Sequence, residues 1–315
     1  MGLPVILDCD PGHDDAFAIM LAAAHPAIDL LAITTVAGNQ TLAKTTLNAR
    51  RVCTAAGIKG VPIAAGRDRA LHGIAPVAAG IHGESGLDGP DFGEPVVPLD
   101  PRGALALTRD TLLAHPVPVT LVPTGPLTNV AALLLAHPEL APRIERIVLM
   151  GGSTERGNTT PAAEFNMFCD PEAADIVFSS GLPVTMVGLN ASHQALATTE
   201  VVARFAALGT PLARICTDLL TFFADRYHQV FGFPVPPLHD PLTVAHLIAP
   251  QVVRTVPAAV AVELAGLHTR GATVVDLHGV TGRPPNADVA VEVDADAFWD
   301  LILDAVRALG SGPPH

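Results

Sequence analysis

Residues 3–36 decide the fold, and they read LPVILDCDPGHDDAFAIMLAAAHPAIDLLAITTV. The apolar run at residues 3–7 predicts a buried strand, which ends before a Pro-Gly pair. Acids favour the first turn of a helix, so Asp14 and Asp15 predict the start of the apolar helix that follows. Residues 30–36 predict a second strand. Because a helix connects the two strands, the stretch predicts a parallel β-α-β unit.

The rest of the chain continues this alternation. Short apolar runs predict further buried parallel strands at residues 61–64, 117–122, 144–150 and 183–187. Helices are predicted between them at residues 41–56, 101–114, 127–136 and 171–179. The C-terminal third predicts helices at residues 198–208, 212–223, 242–248 and 294–309, and antiparallel or edge strands at residues 255–264, 272–277 and 287–293.

These elements predict an α/β fold with an open, mostly parallel, Rossmann-like central sheet. Helices should flank the sheet, with extra strands and helices added at the C-terminal end. No linker or charge run marks a boundary, so residues 1–315 are expected to form a single domain.

The composition excludes several classes of function. The chain has 315 residues, 49% of them hydrophobic, so it can bury a core without disulfide or metal staples. Its 18 Lys and Arg against 31 Asp and Glu give a net charge of −13. An acidic chain of this kind lacks the basic footprint of a nucleic-acid binder and is better suited to metal ions or other cations.

No membrane segment or export signal is predicted. The N-terminus lacks a basic region, and Asp8 and Asp10 interrupt its apolar run. The longest apolar stretches, such as residues 16–24, are too short to span a bilayer. The 4 cysteines lie far apart without a CxxC pair, which is typical of reduced thiols, so we expect a cytoplasmic protein.

Polar residues follow the predicted strands at their carboxyl ends, where open α/β sheets bind ligands. The residues in these positions are Asp8, Asp10, Asp14, Asp15, Asn39, Thr124, Asn158, Glu164 and Asn166. Each of them alone could cap a helix or serve a turn. Their joint occurrence at strand ends predicts a polar site.

Two other interpretations of the Asp8-Cys9-Asp10 motif can be tested by spacing. An EF-hand loop that begins at Asp8 requires Glu at its twelfth position, where this chain has Ile19. Phosphohydrolases with a nucleophilic aspartate at a strand end also begin with a hydrophobic-Asp-x-Asp run. They normally continue with a small residue and Thr or Val, however, rather than with Pro and Gly. A phosphohydrolase that uses Asp8 or Asp10 therefore stays as an alternative.

The run DCDPGHDDA at residues 8–16 resembles the N-terminal signature of the nucleoside hydrolases, in their inosine–uridine-preferring and pyrimidine-preferring branches. Further blocks follow in the order of the family. They are VAGN at 36–39, HGESG at 82–86, VPTGPLTN at 122–129, MGG at 150–152, GN at 157–158, EFN at 164–166, DPEA at 170–173 and HD at 239–240. The resemblance implies a calcium-containing pocket that hydrolyses the N-glycosidic bond of a ribonucleoside, giving ribose and a free base.

The resemblance also implies a role for each matched residue. Asp10, Asp15 and Asp240 would bind Ca²⁺ through their carboxylates and Thr124 through its backbone carbonyl, so Thr124→Val is expected to be mild. Asp10 would also be the general base toward a calcium-bound water. The residues that would contact the ribose are Asp14, Asn39, Asn158, Glu164 and Asn166 on its hydroxyls, with Met150 and Phe165 on its face. These types suit the chemistry, because Ca²⁺ prefers oxygen ligands and carboxylates stabilise an oxocarbenium-like sugar.

The departing base needs a proton or a hydrogen-bond donor. His239 is the expected acid for the leaving group and His82 the expected base contact, because histidine titrates near neutral pH. Which of the two is the main acid stays open. Tyr227 and Phe231 lie four residues apart, on one helical face, and are expected to stack on the base. Some pyrimidine-preferring members carry a Gln–Tyr pair where we align these residues, so the choice between purine and pyrimidine nucleosides also stays open.

Two further expectations accompany this assignment. The resemblance implies a homo-oligomer, a tetramer or a dimer, that acts in nucleoside catabolism. A non-catalytic nucleoside sensor on the same fold is the other alternative, because a sequence with an intact site does not prove turnover.

Overall fold

The structure is a computed structural model that describes residues 2–73 and 76–311. Within these ranges the strands are β1 (Leu3–Cys9), β2 (Ile28–Thr35), β3 (Ile63–Ala65), β4 (Val119–Pro123), β5 (Ile144–Met150), β6 (Val184–Val187), β7 (Val253–Val262), β8 (Thr273–Asp276) and β9 (Ala287–Val293). They form one nine-stranded sheet in the order β3-β2-β1-β4-β5-β6-β9-β7-β8.

The pairing of the strands confirms the expected mostly parallel sheet. Strands β1 to β6 are parallel to their neighbours, and β1 lies between β2 and β4. The C-terminal strands extend this sheet, with β7 antiparallel to both β9 and β8. Strand β9 is an exception to the expected antiparallel arrangement, because it pairs in parallel with β6 and so joins the two halves of the sheet.

Helices cover both faces of the sheet. The α-helices of the described residues are α1 (His13–Ala24), α2 (Leu42–Ala55), α3 (Ala79–His82), α4 (Ala104–Ala114), α5 (Thr128–Ala136), α6 (Phe165–Cys169), α7 (Pro171–Phe178), α8 (Leu189–Ser192), α9 (Thr199–Ala206), α10 (Pro211–Phe231), α11 (Pro241–Ile248) and α12 (Ala295–Gly310). The short helices α3, α6 and α8 were not predicted, since helices of one turn carry no readable periodicity. Helix α10 continues beyond its predicted end at residue 223 and stops at Gly232, whose φ of 69° favours glycine.

Two apolar layers enclose the sheet, one on each face. Helix α1 packs against α11 and α12, and its side chains from His13 to Ala22 are all buried. Phe17, Phe205 and Phe298 are the largest fully buried side chains of this layer. Because α1 is fixed on both sides, its N-terminus is held rigidly at the carboxyl end of β1. No helix of residues 2–73 and 76–311 is long and apolar enough to cross a membrane.

Candidate active site

The carboxyl ends of β1, β4 and β5 open onto a cavity of about 340 Å³, within the roughly 300–1,000 Å³ typical of small-ligand sites. It lies where β1 and β4 are neighbours but their connections leave in opposite directions, the usual ligand position in such sheets. The predicted residues that line it are Asp14, Asn39, His82, Thr124, Met150, Asn158, Glu164, Phe165, Asn166, Tyr227, Phe231, His239 and Asp240. Asp10 and Asp15 are buried next to the cavity, and each accepts a hydrogen bond from Asn39. The structure therefore brings these predicted site residues together.

Asp10 presents one oxygen that no protein group satisfies. Its Oδ2 accepts a hydrogen bond from the backbone N–H of Asn39 at 2.6 Å, whereas its buried Oδ1 has no partner among the described residues. Two glycines make room for this carboxylate. A Cβ on Gly38 would lie 2.2 Å from Oδ2, and one on Gly125 would lie 2.5 Å from Oδ1. The backbone thus approaches Asp10 as closely as glycine allows, which orients Oδ1 for a water or a cation.

Asp15 is held by three donors around the start of α1. Its Oδ2 accepts from the backbone N–H of Gly12 at 3.0 Å and from Asn39 Nδ2 at 3.2 Å. Its Oδ1 accepts from the Thr124 hydroxyl at 2.8 Å. An acid at the third helical position that bonds back to the N-cap backbone is a common helix start. Asp15 therefore stabilises the start of α1 and also connects the loops that follow β1, β2 and β4 at the cavity.

Asp240 completes a cluster of acids from distant parts of the chain. One carboxylate oxygen from each of Asp14, Asp15 and Asp240 lies within 4.8 Å of the others. Asp240 precedes α11 as its N-cap, yet its side chain makes no capping hydrogen bond. An aspartate at this position normally accepts a hydrogen bond from the helix backbone. Here the carboxylate joins the cluster instead.

The electrostatics of this cluster favour a cation. Burial is the main cause that raises the pKa of Asp10, Asp14, Asp15 and Asp240, and for Asp10, Asp14 and Asp240 neighbouring carboxylates raise it further. No Lys or Arg is among the described residues that line the cavity. Oxygen-rich, negatively charged surroundings with an unsatisfied Asp10 Oδ1 fit a hard metal ion. Asp14, expected on the ribose, is one of the three acids whose oxygens lie within 4.8 Å of one another, whereas Asp10, expected on the metal, is not among them.

The cavity-lining residues that follow β5 in the chain are positioned by hydrogen bonds to the backbone. Asn166 Nδ2 donates to the Thr124 carbonyl at 2.7 Å and to the Met150 carbonyl at 3.2 Å. The Glu164 carboxylate caps α6 by accepting from the backbone N–H groups of Asn166 and Met167, and it also accepts from that of Gly152. Burial raises the pKa of Glu164 to about 7. The polar side chains of Asn166 and Glu164 are therefore fixed by backbone groups of the protein.

His82 is backed by a second histidine that the sequence reasoning missed. The Nδ1 atoms of His13 and His82 are 3.2 Å apart, and the rings stack against each other and against Phe223. His13 Nε2 lies 2.8 Å from the Asp88 carbonyl, which can only accept, so His13 carries its proton on Nε2. Burial lowers the pKa of His13 to about 4. Its place between Gly12 and Asp14 in the N-terminal signature was the available signal.

His239 has both ring nitrogens occupied by protein groups. Its Nδ1 lies 2.7 Å from Ser192 Oγ, and its Nε2 lies 2.7 Å from the Tyr227 hydroxyl. Burial lowers the pKa of His239 to about 3. The contact of Ser192 with His239 was not predicted from the sequence, because it depends on tertiary structure alone. His239 and Tyr227 both line the cavity, so this hydrogen-bonded pair forms part of its wall.

Asp8 does not belong to this site, contrary to expectation. It lies under α4 and α5, beside a separate small cavity, where its Oδ1 accepts from the Thr34 hydroxyl at 2.5 Å and from Asn129 Nδ2 at 2.8 Å. Burial raises the pKa of Asp8 to about 6. A phosphohydrolase mechanism with Asp8 as nucleophile is therefore wrong, since the side chain does not face the ligand cavity.

The fold and this cavity define a class of enzymes that act on N-glycosyl bonds. Residues 5–300 match the family model described as inosine-uridine preferring nucleoside hydrolase, and the chain belongs to that family. It is 49% identical over 312 residues to the pyrimidine-specific ribonucleoside hydrolase RihA of Salmonella arizonae, covering 98% of this chain and 100% of that protein. RihA of Escherichia coli O81 is 49% identical over 309 residues, covering 98% and 99% of the two chains.

Solved structures give the same family. A purine-preferring ribonucleoside hydrolase from Gardnerella vaginalis superposes with a TM-score of 0.90 at 33% identity, over 97% of this chain and 98% of that one. An inosine-guanosine nucleoside hydrolase superposes with a TM-score of 0.87 at 28% identity, over 100% of both chains. The names of these relatives include both pyrimidine and purine nucleosides.

Titration of the cation-depleted protein with Ca²⁺ is expected to show affinity that depends on pH. Burial raises the pKa of Asp10, Asp14, Asp15 and Asp240, so the folded protein without cation keeps protons that an incoming cation must displace. Affinity should therefore rise with pH, by up to about tenfold per pH unit for each proton displaced. Isothermal titration calorimetry after EDTA treatment, in buffers of different ionisation enthalpy, measures the Ca²⁺ affinity and the number of protons released.

Asp15→Asn should greatly weaken this binding, and Asp8→Asn provides the matched control. Both residues are buried aspartates of the same segment, but Asp8 faces the other cavity. Equal loss of Ca²⁺ affinity in the two variants, or affinity independent of pH, would contradict the assignment of the cluster as a cation site.

Thr124→Val should destabilise the protein, contrary to the expectation from sequence. The valine has a similar shape but removes the hydroxyl that donates to Asp15 Oδ1, leaving a buried carboxylate oxygen without its donor. The expected loss is about 1–3 kcal/mol in the free energy of unfolding. Thr124→Ser keeps the hydroxyl and should lose less. Urea denaturation in EDTA compares the three proteins, and a Val variant as stable as the wild type would refute the role of this hydrogen bond.

Proposed function

We propose that this chain is a calcium-dependent ribonucleoside hydrolase that converts uridine, cytidine or inosine to ribose and the free base. The observation that carries the proposal is the cavity itself. One side presents a cluster of buried aspartates with an unsatisfied Asp10 Oδ1, and the other side presents the aromatic rings of Tyr227 and Phe231. A ribose fits the first side and a heterocyclic base fits the second.

The carboxylates of Asp10, Asp15 and Asp240 and the carbonyl of Thr124 would hold Ca²⁺ at this site. When bound, the ion would lower the pKa of the attacking water and orient two vicinal hydroxyls of the ribose. The Thr124 carbonyl is held in place by Asn166 Nδ2 at 2.7 Å. The Thr124 hydroxyl holds Asp15 at the same time, so one residue positions two of the proposed ligands.

Asp10 takes the proton of the attacking water. Its Oδ2 is held by the Asn39 N–H, which leaves the unsatisfied Oδ1 as the oxygen that can accept this proton. A buried carboxylate with a raised pKa is a stronger base once ionised than an exposed one. The proposed general base is therefore oriented before substrate binds.

The ribose is held by Asp14, Asn39, Asn158, Glu164 and Asn166, which surround the polar end of the cavity. Met150 and Phe165 supply the apolar wall beside the sugar. Buried carboxylates stabilise the positive charge that develops on the sugar as the glycosidic bond breaks. A deoxyribonucleoside should be rejected, because the missing hydroxyl leaves buried polar groups without partners.

His239 assists the departing base through Tyr227. The imidazole Nε2 is paired with the Tyr227 hydroxyl, and both residues line the cavity. The phenol can donate a hydrogen bond to the base as negative charge develops on it. Phe231, whose ring centroid is 5.1 Å from that of Tyr227, provides stacking surface. His82 contacts the base from the side of α3.

Pyrimidine nucleosides are the proposed first choice of substrate. The relatives named pyrimidine-specific are 49% identical over nearly the whole chain, whereas the purine-preferring relative is 33% identical. We also propose a cytoplasmic homo-oligomer, tetramer or dimer, on the basis of the family resemblance. The 4 cysteines are all free and buried, in accord with a reducing compartment.

A steady-state assay of uridine, cytidine, inosine and adenosine tests the reaction. Release of reducing sugar and free base is expected for uridine and cytidine, and EDTA should abolish it while added Ca²⁺ restores it. Deoxyuridine should be a poor substrate. Absence of turnover for all of the ribonucleosides, with folded protein and Ca²⁺ present, would refute the hydrolase and favour the nucleoside sensor. Turnover of phosphate esters instead would favour the phosphohydrolase with Asp10 as nucleophile.

Tyr227→Phe should lower kcat for uridine by about 10²–10⁴-fold, the usual contribution of a positioned acid. The variant removes only the hydroxyl that His239 contacts. His239→Ala should have a similar effect, and Ser192→Ala a smaller one. p-Nitrophenyl riboside is the control substrate, because its leaving group departs without protonation. The variants should therefore cleave it at close to the wild-type rate. Equal losses for both substrates would show that Tyr227 acts on the sugar or on the fold instead.

A further inference from the structure

A second cavity of about 400 Å³ adjoins the ligand cavity. The two share a wall made of Asn158, Thr159, Tyr227 and Phe231. The shared residues come from both sides of the first cavity, because Asn158 belongs to the proposed ribose contacts and Phe231 to the proposed base contacts. A substituent on a nucleoside bound in the first cavity can therefore reach the second.

The two cavities have opposite charge. The first is lined by Asp14, Glu164 and Asp240 without a basic residue other than histidine. The described lining of the second contains Arg156 and no Asp or Glu. A group that enters the second cavity thus meets a cation, and this cation is separated from the acidic cluster by the shared wall.

Arg156 is ordered by neutral groups that leave its charge available. Its guanidinium lies 5.7 Å from the centroid of the Phe233 ring, and its Nη2 lies 3.3 Å from His193 Nδ1. Because a guanidinium can only donate, His193 Nδ1 accepts and the ring is neutral at this atom. Among the ion pairs of the described residues, none includes Arg156.

Hydroxyl donors lie on the same wall as Arg156. Thr160 Oγ1 accepts hydrogen bonds from the backbone N–H groups of Ala162 and Ala163, so its own hydrogen is available to donate. Thr159 also lines the cavity, and its hydroxyl donates to Asn158 Oδ1 at a long distance of 3.4 Å. A guanidinium with neighbouring hydroxyls is a typical set of donors for phosphoryl and carboxylate oxygens.

We propose that the cavity around Arg156 is an anion subsite, which takes a phosphoryl or carboxylate group carried by the ribonucleoside. The inference rests on the proposed function, since the first cavity must hold the ribose and base. It extends the substrate class from neutral ribonucleosides to anionic ones. The group can be attached at the sugar, as in a nucleoside 5′-monophosphate, or at the base, as in a pyrimidine carboxylate such as orotidine.

Binding of uridine, uridine 5′-monophosphate and orotidine by isothermal titration calorimetry tests the subsite. The measurement uses the Asp10→Asn protein, which lacks the proposed general base, so that the ligands stay intact. Ca²⁺ is present in excess, because Asp10 is also a proposed ligand of the ion. In this Asp10→Asn background, Arg156→Met should weaken the binding of at least one anionic ligand by about tenfold. The affinity for uridine should change by less than about twofold. Arg283→Met, a change at an exposed arginine outside both cavities, is the matched control and should change none of them.

The two anionic ligands show whether the anionic group is carried by the sugar or by the base. A loss confined to uridine 5′-monophosphate places the anion on the sugar, and a loss confined to orotidine places it on the base. Unchanged affinity for both anions, or an equal loss for uridine, would overturn the subsite. Should Arg156→Met fail to fold, salt dependence in the parent protein decides: added NaCl should weaken the anionic ligand more than uridine, and equal effects would overturn the subsite.

Failure of the subsite and failure of the hydrolase give different results. Uridine hydrolysis by the wild type, together with anion binding that does not depend on Arg156, would overturn the subsite alone. Anion binding that depends on Arg156, without hydrolysis of uridine by the wild type, would overturn the proposed reaction and leave the subsite in place.

Discussion

The close approach of buried aspartates at one end of β1 is the constraint on which the rest of the structure depends. Placing ionised carboxylates away from water costs several kcal/mol for each group unless partners compensate. The chain supplies part of the compensation through the N–H groups of Gly12 and Asn39 and the hydroxyl of Thr124. Among the described residues, Asp10 Oδ1 has no hydrogen-bond partner, and the carboxylate of Asp240 makes no capping hydrogen bond. The polypeptide therefore leaves negative charge that a bound cation can neutralise, so the site is built to be completed by a ligand.

The order of the strands explains how such a cluster can form. Strands β1 and β4 are adjacent, but the chain leaves them toward opposite edges of the sheet, which opens a crevice between their following loops. The loops after β2 and β4 then cross over Asp10 at Gly38 and Gly125, where any larger residue would collide with the carboxylate. The rigid packing of α1 against α11 brings the start of each helix, with Asp15 and Asp240, to the same crevice.

Sequence reasoning predicted the strands well, because their apolar runs are short and clearly bounded; β5 and β9 have the bounds expected of them. It did not predict the direction of Asp8. Asp8 is still part of β1 and faces α4 and α5, whereas Asp10 follows the end of the strand, where the turn redirects it. The contacts of His13 with His82 and of Ser192 with His239 were also beyond reach, since they join residues 69 and 47 positions apart. The family resemblance named the residues of the site, but only the fold shows which of them touch.

The dipeptide His239-Asp240 connects the two ends of the proposed reaction. Asp240 begins α11 and turns its carboxylate to the aspartate cluster, where the sugar would be held. His239, the preceding residue, pairs with Tyr227 on the side where the base would leave. Because α11 is buried and its start cannot shift independently, the separation between these two groups is set by the backbone. The groups proposed to stabilise the sugar and the departing base are thus positioned by one rigid peptide unit, which is the kind of preorganisation that lowers the barrier to bond cleavage.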